Sequence, residues 1–216
     1  MSYVDTDTGE IITAYLFVAT FPYSQYGYVE ATTDMREKAW LDCHVHMFDL
    51  TEKLLAYLSS LPHEVTYINT ISLVHKYASI DYEDFYYTKR YRSVPVYSRS
   101  KLCLAKYTYH TAQKWADSNI RIYMSHPGIA LTPLGLNAVG PKYAKLAPVV
   151  APFFNSPEKS SLSVAYILSH SLPVGAIVGP NHCFHGWGYP TLNRTSRKVT
   201  TGAEPLIAFT EKEIHV

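Results

Sequence analysis

The sequence is poor in glycine, and its few glycines are unevenly placed. There are 10 glycines in 216 residues, and none lies between Gly27 and Gly128. A loop that cradles the phosphates of a nucleotide needs clustered glycines, because its backbone must turn tightly and approach the pyrophosphate closely. Gly186 and Gly188 are near each other, but no helical pattern follows them, so we expect a surface turn there. The sequence therefore contains neither a P-loop nor a dinucleotide-binding fingerprint.

Long apolar runs, strong net charge and paired cysteines are also lacking. No run reaches the roughly 18 apolar residues that span a bilayer, and no basic segment precedes an apolar core at the N-terminus. The net charge of +1 gives no overall basic footprint for nucleic acid. Three cysteines cannot form a disulfide framework and fit a reducing compartment. We therefore expect a cytoplasmic protein that binds neither a membrane nor nucleic acid.

The composition is typical of a folded protein, with 47% hydrophobic and 17% charged residues. Its charge, however, separates the first 49 residues from the rest. Residues 1–49 hold eight acids and two bases, whereas residues 50–216 hold 10 acids and 17 bases. Such a change of sign can mark two regions of different origin, although ordinary variation along the surface also explains it.

The N-terminal region has the pattern of a β-hairpin followed by a helix. Residues 7–9 predict a turn between two short apolar runs. The β-branched and aromatic runs 11–21 and 26–31 predict strands. The stretch 35–60 is helical by composition, and Pro62 ends it because proline disfavours helix at the preceding residue.

Beyond residue 60 the pattern alternates strands and helices. A strand over 64–74, a helix over 97–116 and a strand over 120–125 form a predicted βαβ unit, which implies a parallel sheet and an α/β fold. A second helix is predicted over 156–170, because Ser-Pro-Glu is a typical helix start. A short strand over 176–179 follows, and we expect the tail beyond it to be loop.

Two side chains on the first of these helices have the chemistry of an acid–base pair. Tyr97 and Lys101 are four residues apart, so they project from one face. An ammonium group favours the phenolate form of a neighbouring phenol, which can then exchange a proton with a substrate hydroxyl or carbonyl. With nineteen tyrosines in the chain, about one such pair is expected by chance.

Two further features lie where parallel strands are expected to end. Ser72 is towards the end of the strand over 64–74, where an α/β sheet presents functional groups, and its hydroxyl can polarise a carbonyl. Pro127 and Gly128 follow the strand over 120–125 and predict a turn that lets the backbone approach a ligand closely.

The segment YSRSK, preceded by YINTISLVHKY and followed by ADSNIRIYMSHPGIALT, resembles the short-chain dehydrogenase/reductase family over about residues 50–200. The resemblance implies a partial Rossmann-like parallel sheet and NAD(P)-dependent hydride transfer to or from a small carbonyl or alcohol. It implies that Ser72 polarises the carbonyl and that Tyr97 donates and accepts the proton. The residues that it implies for the NAD or NADP site are Lys101, Pro127, Gly128 and Thr132. Unrelated serine and Pro-Gly turns beside a capped helix are the alternative.

The chain departs from this family before Ser72. Family members begin with a glycine-rich cofactor loop and carry an active-site asparagine well ahead of the catalytic serine. Here the first asparagine is Asn69, and only 71 residues precede Ser72. The part of the family's sequence pattern that binds the cofactor is therefore missing here. We expect a truncated, inactive chain unless another subunit completes the cofactor site in a homo-oligomer. The choice between NAD and NADP stays open.

Residues 1–49 resemble another family, the insertion-sequence transposases of the DDE, ribonuclease-H-like kind. Asp5, Asp7 and Asp49 do not occupy the metal-binding positions of that family, and a two-metal nuclease site needs converging carboxylates. We therefore predict a fusion of a fragment over 1–49 with a dehydrogenase-like region over 50–216. The alternatives are a divergent dehydrogenase N-terminus, a transposase-derived DNA-binding segment, or a remnant without activity.

We predict no metal site in this chain. The histidines and cysteines cluster at residues 43–46 and 182–185, and neither cluster has a second group at zinc-ligand spacing. The tyrosine-rich stretch 77–97 can stack nucleic-acid bases, but a loop beside the substrate, or a solvated one, fits it better.

Overall fold

The structure is a computed structural model in which the chain divides into two compact units. One comprises Met1–Leu58 with Ala208–Val216, and the other comprises Ser59–Ile207. The division predicted at residue 49 from charge and resemblance stays a prediction. The residues that the structure describes are 2–4, 8–13, 15–20, 27–32, 49–85, 89, 92–129, 155–182 and 185–214.

The first unit begins with two antiparallel β-hairpins. Its strands are β1 (Ser2–Val4), β2 (Ile11–Thr13), β3 (Tyr15–Thr20) and β4 (Gly27–Thr32). Strand β1 pairs with β2, and β3 pairs with β4. The hairpin turn predicted around Gly9 is confirmed, and Gly9 has a φ of 73°, which glycine adopts readily. The single strand predicted over 11–21 is wrong, because β2 and β3 pair with different neighbours in separate sheets.

Helix α1 is described from residue 49 to residue 59. It confirms the last part of the helix predicted over 35–60, whereas residues 33–48 lie outside the described residues. The helix ends shortly before Pro62, as expected for a segment that proline closes.

The second unit is built on a four-stranded sheet. Its strands, in their order across the sheet, are β5 (Val65–Thr70), β6 (Ile120–Ser125), β7 (Ile177–His182) and β8 (Trp187–Asn193). Strands β5, β6 and β7 are parallel, and β8 is antiparallel to β7. The predicted α/β class with a partial Rossmann-like sheet is therefore confirmed.

Helices cover both faces of this sheet. Helix α2 (Ser93–Lys114) connects β5 to β6, and helix α3 (Pro157–Ser169) precedes β7. One buried cluster is formed by Leu102, Ala105, Met124, Ile177 and Val199. The other is formed by Tyr123, Ile167, Ala176 and Val178. Because successive residues of a strand point to opposite faces, α2 and α3 pack on opposite sides of β6 and β7.

The strand predicted over 64–74 is too long. Strand β5 ends at Thr70, and a short 3₁₀ helix follows over Leu73–Tyr77. Ser72 directly precedes this helix, and its carbonyl accepts a hydrogen bond from the His75 backbone N–H at 3.1 Å. Ser72 therefore lies in the connection after the strand rather than inside it.

The helix predicted from Tyr97 begins four residues earlier, at Ser93. Pro95 lies in this first turn, although proline disfavours the interior of a helix. Proline is nevertheless tolerated in the first turn of a helix, because the backbone N–H groups of that turn have no partner within the helix. Tyr97 consequently lies in the second turn of α2.

The predicted start of α3 is confirmed. The Ser156 Oγ accepts a hydrogen bond from the backbone N–H of Lys159 at 3.2 Å, and Pro157 occupies the first helical position. These are the N-cap and first-turn roles that the sequence predicts.

The sequence suggested that the tail beyond residue 179 is loop, and this prediction is wrong. The tail forms the end of β7, then β8, helix α4 (Arg197–Thr200) and helix α5 (Glu204–Ile214). Pro190 interrupts the sequence pattern of β8, but proline is accommodated on an edge strand. No helix within the described residues is long and apolar enough to cross a bilayer.

Candidate active site

The predicted site residues other than Thr132 belong to the segments that follow β5 and β6 and to the first turns of the helix between these strands. Thr70 and Ser125 are the last residues of these parallel strands and are paired in register. Their hydroxyl oxygens lie 3.5 Å apart. Open α/β sheets bind ligands outside the carboxyl ends of their strands, so this edge is the expected position of a functional site.

Ser72 lies two residues beyond the end of β5 in an extended conformation. Its carbonyl oxygen is 2.6 Å from the Nδ1 of His75, whose imidazole is fully buried. This contact and the 3₁₀ helix fix the backbone at Ser72. Its side chain is partly buried, and its hydroxyl makes no hydrogen bond to any described residue.

Tyr97 and Lys101 project from one side of α2, as predicted. The Lys101 Nζ lies 5.8 Å from the centroid of the Tyr97 ring and donates a hydrogen bond to the carbonyl of Thr70 at 3.2 Å. The second contact ties the lysine to the end of β5, and burial lowers its pKa from the ordinary value. The Tyr97 side chain is 48% exposed, and its phenol has no hydrogen-bond partner within the described part of the chain.

His126 is fully buried directly after β6, and its imidazole packs against the backbone of Gly179. Burial lowers the pKa of His126 to about 3, and the nearby Lys76, His75 and His185 add smaller effects in the same direction. The imidazole is therefore neutral at physiological pH.

Both ring nitrogens of His126 are in hydrogen bonds. The Gly128 backbone N–H donates to Nδ1 at 3.3 Å. The side-chain amide nitrogen of Asn193 lies 2.7 Å from Nε2. His126 therefore joins the turn after β6 to the end of β8.

The Pro127–Gly128 turn packs against the β7–β8 hairpin. Gly128 has a φ of 74°, and a Cβ at this position would collide with the carbonyl of Gly186 and approach the Pro180 ring to 2.7 Å. The glycine is therefore required both for its backbone conformation and for this close approach. Thr132, the last predicted site residue, lies outside the described residues.

The sequence analysis missed two buried asparagines beside this turn. Asn155 is 1% exposed and Asn193 is 3% exposed. Asn193 contacts the His126 ring, and Asn155 hydrogen-bonds the carbonyl of Pro127. Buried polar side chains of this kind leave no spacing pattern. The only available signal was the position of Asn155 next to the predicted helix start at Ser156.

The described residues contain no group of three or more histidine, cysteine, aspartate or glutamate side chains that could hold a metal ion. The described side chains at this edge include the hydroxyls of Ser72 and Tyr97, which can exchange protons and form hydrogen bonds, and the ammonium group of Lys101.

Comparison with known proteins gives relatives over part of the chain. No protein-family model matches it. Retinol dehydrogenase 14 from Mus musculus is 32% identical over 127 residues, which are 57% of this chain and 37% of the relative. Retinol dehydrogenase 13 from Homo sapiens is 34% identical over 94 residues, 43% of this chain and 28% of the relative. The chain therefore spans less than half the length of these relatives.

Among solved structures, an uncharacterized protein from Mycobacterium Paratuberculosis matches with a TM-score of 0.52 and 23% identity. The match covers 71% of this chain and 51% of the other, and it supports the α/β fold. By sequence, a region of this chain is similar to the retinol dehydrogenases, which belong to the short-chain dehydrogenase/reductase family.

Proposed function

We propose that this chain carries the catalytic residues of an NAD(P)-dependent oxidoreductase that acts on a small alcohol or carbonyl compound. The observation that carries the proposal is the fixed position of Lys101, held to the end of β5 with Tyr97 at its side. Ser72 follows the same strand with a hydroxyl that makes no hydrogen bond to any described residue. An acid–base group, a cation and a carbonyl-polarising hydroxyl thus belong to one sheet edge.

Each of these side chains has a distinct task in the proposed reaction. The Ser72 hydroxyl donates a hydrogen bond to the substrate oxygen and polarises the C–O bond. The Tyr97 phenol gives its proton to that oxygen during reduction and takes it back during oxidation. The positive charge of Lys101 stabilises the negative charge that develops on the phenol oxygen when the proton leaves. The nicotinamide supplies or accepts the hydride when the dinucleotide is bound.

The nicotinamide end of a dinucleotide fits this edge better than its adenosine end does. The ammonium of Lys101 can hold ribose hydroxyls, and the Pro127–Gly128 turn presents backbone beside them. No clustered glycines that could cradle the pyrophosphate occur in the sequence ahead of this edge. We therefore expect binding of the cofactor to be weak.

Titration with NADH and NADPH, followed by nucleotide fluorescence, tests the proposal. We expect saturable binding that Lys101→Ala weakens at least about tenfold, because the ribose loses its cationic partner. Tyr97→Phe should leave binding nearly unchanged and abolish turnover of any substrate that a screen of alcohols and aldehydes reveals, because only the proton-transfer group is lost.

Matched controls on the same helix separate these effects from general damage to α2. Lys114→Ala removes an exposed lysine from the last turn, and Tyr109→Phe removes a phenol hydroxyl away from the site. Both variants should bind NADH as the unsubstituted chain does. A folded chain that binds neither nucleotide, or a Lys101→Ala variant that binds as tightly as Lys114→Ala, would contradict the proposal.

The relation of residues 1–49 to transposases remains a hypothesis from the sequence. Their excess of six acids over bases, from eight acids and two bases, opposes binding to a polyanion. A transposase-derived DNA-binding role would require salt-dependent binding to duplex DNA, and a remnant without activity would bind neither DNA nor nicotinamide. Homo-oligomer formation, which could complete the cofactor site, is checked by sedimentation.

A further inference from the structure

The buried Asn155 makes hydrogen bonds to the turn after β6 at the residues on either side of Gly128. The Nδ2 of Asn155 donates a hydrogen bond to the carbonyl of Pro127 at 3.1 Å. The backbone N–H of Asn155 donates to the carbonyl of Ile129 at 3.0 Å. Since Gly128 itself has a left-handed conformation that a glycine can easily leave, these two contacts hold the turn in the observed shape.

The same asparagine also holds the start of β8. Its Oδ1 accepts a hydrogen bond from the backbone N–H of Gly188 at 3.0 Å. The Ile129 N–H in turn donates to the Gly186 carbonyl at 2.6 Å, so the turn and the hairpin are joined directly as well. Asn155 thus uses its donor and its acceptor on two separate segments, which an aliphatic side chain cannot do and a hydroxyl can do only from a single atom.

A second donor to the turn does not replace this link. The Ser160 Oγ also donates to the Pro127 carbonyl, at 3.2 Å, but it makes no hydrogen bond to a described residue of the hairpin. Loss of the Asn155 side chain would leave the Gly188 N–H without its acceptor and the Pro127 carbonyl with the Ser160 hydroxyl alone. Because an unsatisfied buried N–H is unfavourable, the start of β8 would move to find another partner, and the turn would lose its side-chain link to the hairpin.

We propose that Asn155 is a positioning residue, which sets the Pro127–Gly128 turn against the nicotinamide end of a bound dinucleotide and couples this turn to the β7–β8 hairpin. The inference rests on the proposed function, because the ligand is the dinucleotide of that reaction. Preorganising the turn before binding improves affinity, since less ordering remains to be done when the ligand arrives.

Amide hydrogen exchange of the full chain tests the structural half of this proposal without any ligand. In Asn155→Ala the amides of Gly128 and Ile129 should exchange about tenfold faster or more, while those of β6 keep their protection. Asn181→Ala is the matched control, because the Asn181 Oδ1 accepts from the next hairpin amide, Tyr189, at 3.1 Å. Equal protection of the turn in both variants would overturn the proposal.

NADH titration of the same variants tests the functional half. The dissociation constant should rise about tenfold in Asn155→Ala and stay unchanged in Asn181→Ala. A loosened turn with unchanged NADH affinity would overturn the positioning role. If the unsubstituted chain binds neither NADH nor NADPH, the proposed function fails, and the exchange experiment alone still decides whether Asn155 fixes the turn.

Asn155→Asp keeps the test decisive if the alanine variant does not fold. Aspartate preserves the shape and the acceptor for Gly188, but at neutral pH its carboxylate cannot donate to the Pro127 carbonyl. At about pH 5 a buried carboxyl that has taken up a proton can donate again. We expect the protection of the turn, relative to the unsubstituted chain at the same pH, to recover on acidification. Protection that is independent of pH would overturn the assignment.

Discussion

His126 is the side chain at this edge whose burial has the clearest consequence for stability. Its imidazole is enclosed with no exposed surface, and both ring nitrogens are in hydrogen bonds. Protonation would place a donor on Nδ1 opposite the Gly128 N–H and would bury a charge without an anionic partner. The folded chain therefore holds this imidazole neutral.

The free energy of unfolding should consequently fall as the pH falls below about 6.5. The pKa of His126 is about 3 in the folded chain, against an ordinary value of 6.5, so the unfolded chain binds more protons between these limits. One such group contributes a slope of up to about 1.4 kcal/mol per pH unit in that range. Urea titrations at a series of pH values measure this slope, and His126→Gln should reduce it.

The control for this prediction is His63→Gln, at an exposed position ahead of β5. It should leave the pH dependence of stability unchanged. His75, which is also buried and whose pKa burial also lowers, adds a slope of the same sign that remains in His126→Gln. A His126→Gln profile as steep as that of the unsubstituted chain would show that the histidine is not held neutral.

At the scale of elements, the turn between β6 and the following segment depends on Gly128. Gly128→Ala places a side chain on a left-handed residue and drives its Cβ into the carbonyl of Gly186. The backbone strain alone is worth roughly 1–2 kcal/mol, and the collision with main-chain atoms adds to it. We expect a loss of stability of more than about 2 kcal/mol, measured by urea unfolding.

Gly202 provides the comparison for Gly128. Its φ is 62°, and a Cβ there would meet only the flexible end of Lys106, at 3.7 Å. Gly202→Ala therefore carries the backbone strain without the collision and should destabilise the chain by about 1 kcal/mol. Equal losses of unfolding free energy in the two variants would mean that the β7–β8 hairpin moves at little energetic cost when alanine replaces Gly128.

The elements that the sequence predicted well are those with strong local signals. Strand 120–125 contains two β-branched residues and a tyrosine, Ile120, Ile122 and Tyr123, and the start of α3 has an N-cap serine followed by proline. Strand β8 was missed because Pro190 and two nearby glycines resemble a loop, and only its place at the edge of the sheet accommodates them. Local patterns contain no information about which strand will lie at an edge.

The candidate site also contains some residues whose positions could be predicted from the sequence and others whose positions could not. The placement of Tyr97 and Lys101 on one side of α2, and of Ser72 just beyond β5, could be predicted from a spacing and a strand end, whereas their roles stay predictions. Asn155 and Asn193 could not be predicted, because what makes them important is burial against the Pro127–Gly128 turn and the His126 ring. The contact between Asn155 and Pro127 spans 28 positions of the chain, and that between Asn193 and His126 spans 67 positions. No local pattern predicts contacts at such separations.

For the whole molecule, the scarcity of glycine bears on how a dinucleotide can bind. In the proposed reaction, the groups that would contact a nicotinamide nucleotide lie at the ends of β5 and β6 and on α2. The sequence has no clustered glycines ahead of this edge that could cradle the pyrophosphate. We therefore expect the nicotinamide half of the cofactor to supply most of the affinity.

A comparison of NADH with reduced nicotinamide mononucleotide tests this expectation. If the pyrophosphate and adenosine add little binding free energy, the dissociation constants of NADH and the mononucleotide should agree within about threefold, a difference of less than about 1 kcal/mol. Lys101→Ala should weaken both ligands by the same factor, since the lysine would contact the ribose that they share. Isothermal titration calorimetry measures both constants under one set of conditions. NADH binding more than about tenfold tighter would mean that other residues of this chain hold the adenosine end, by contacts that do not need a glycine-rich loop.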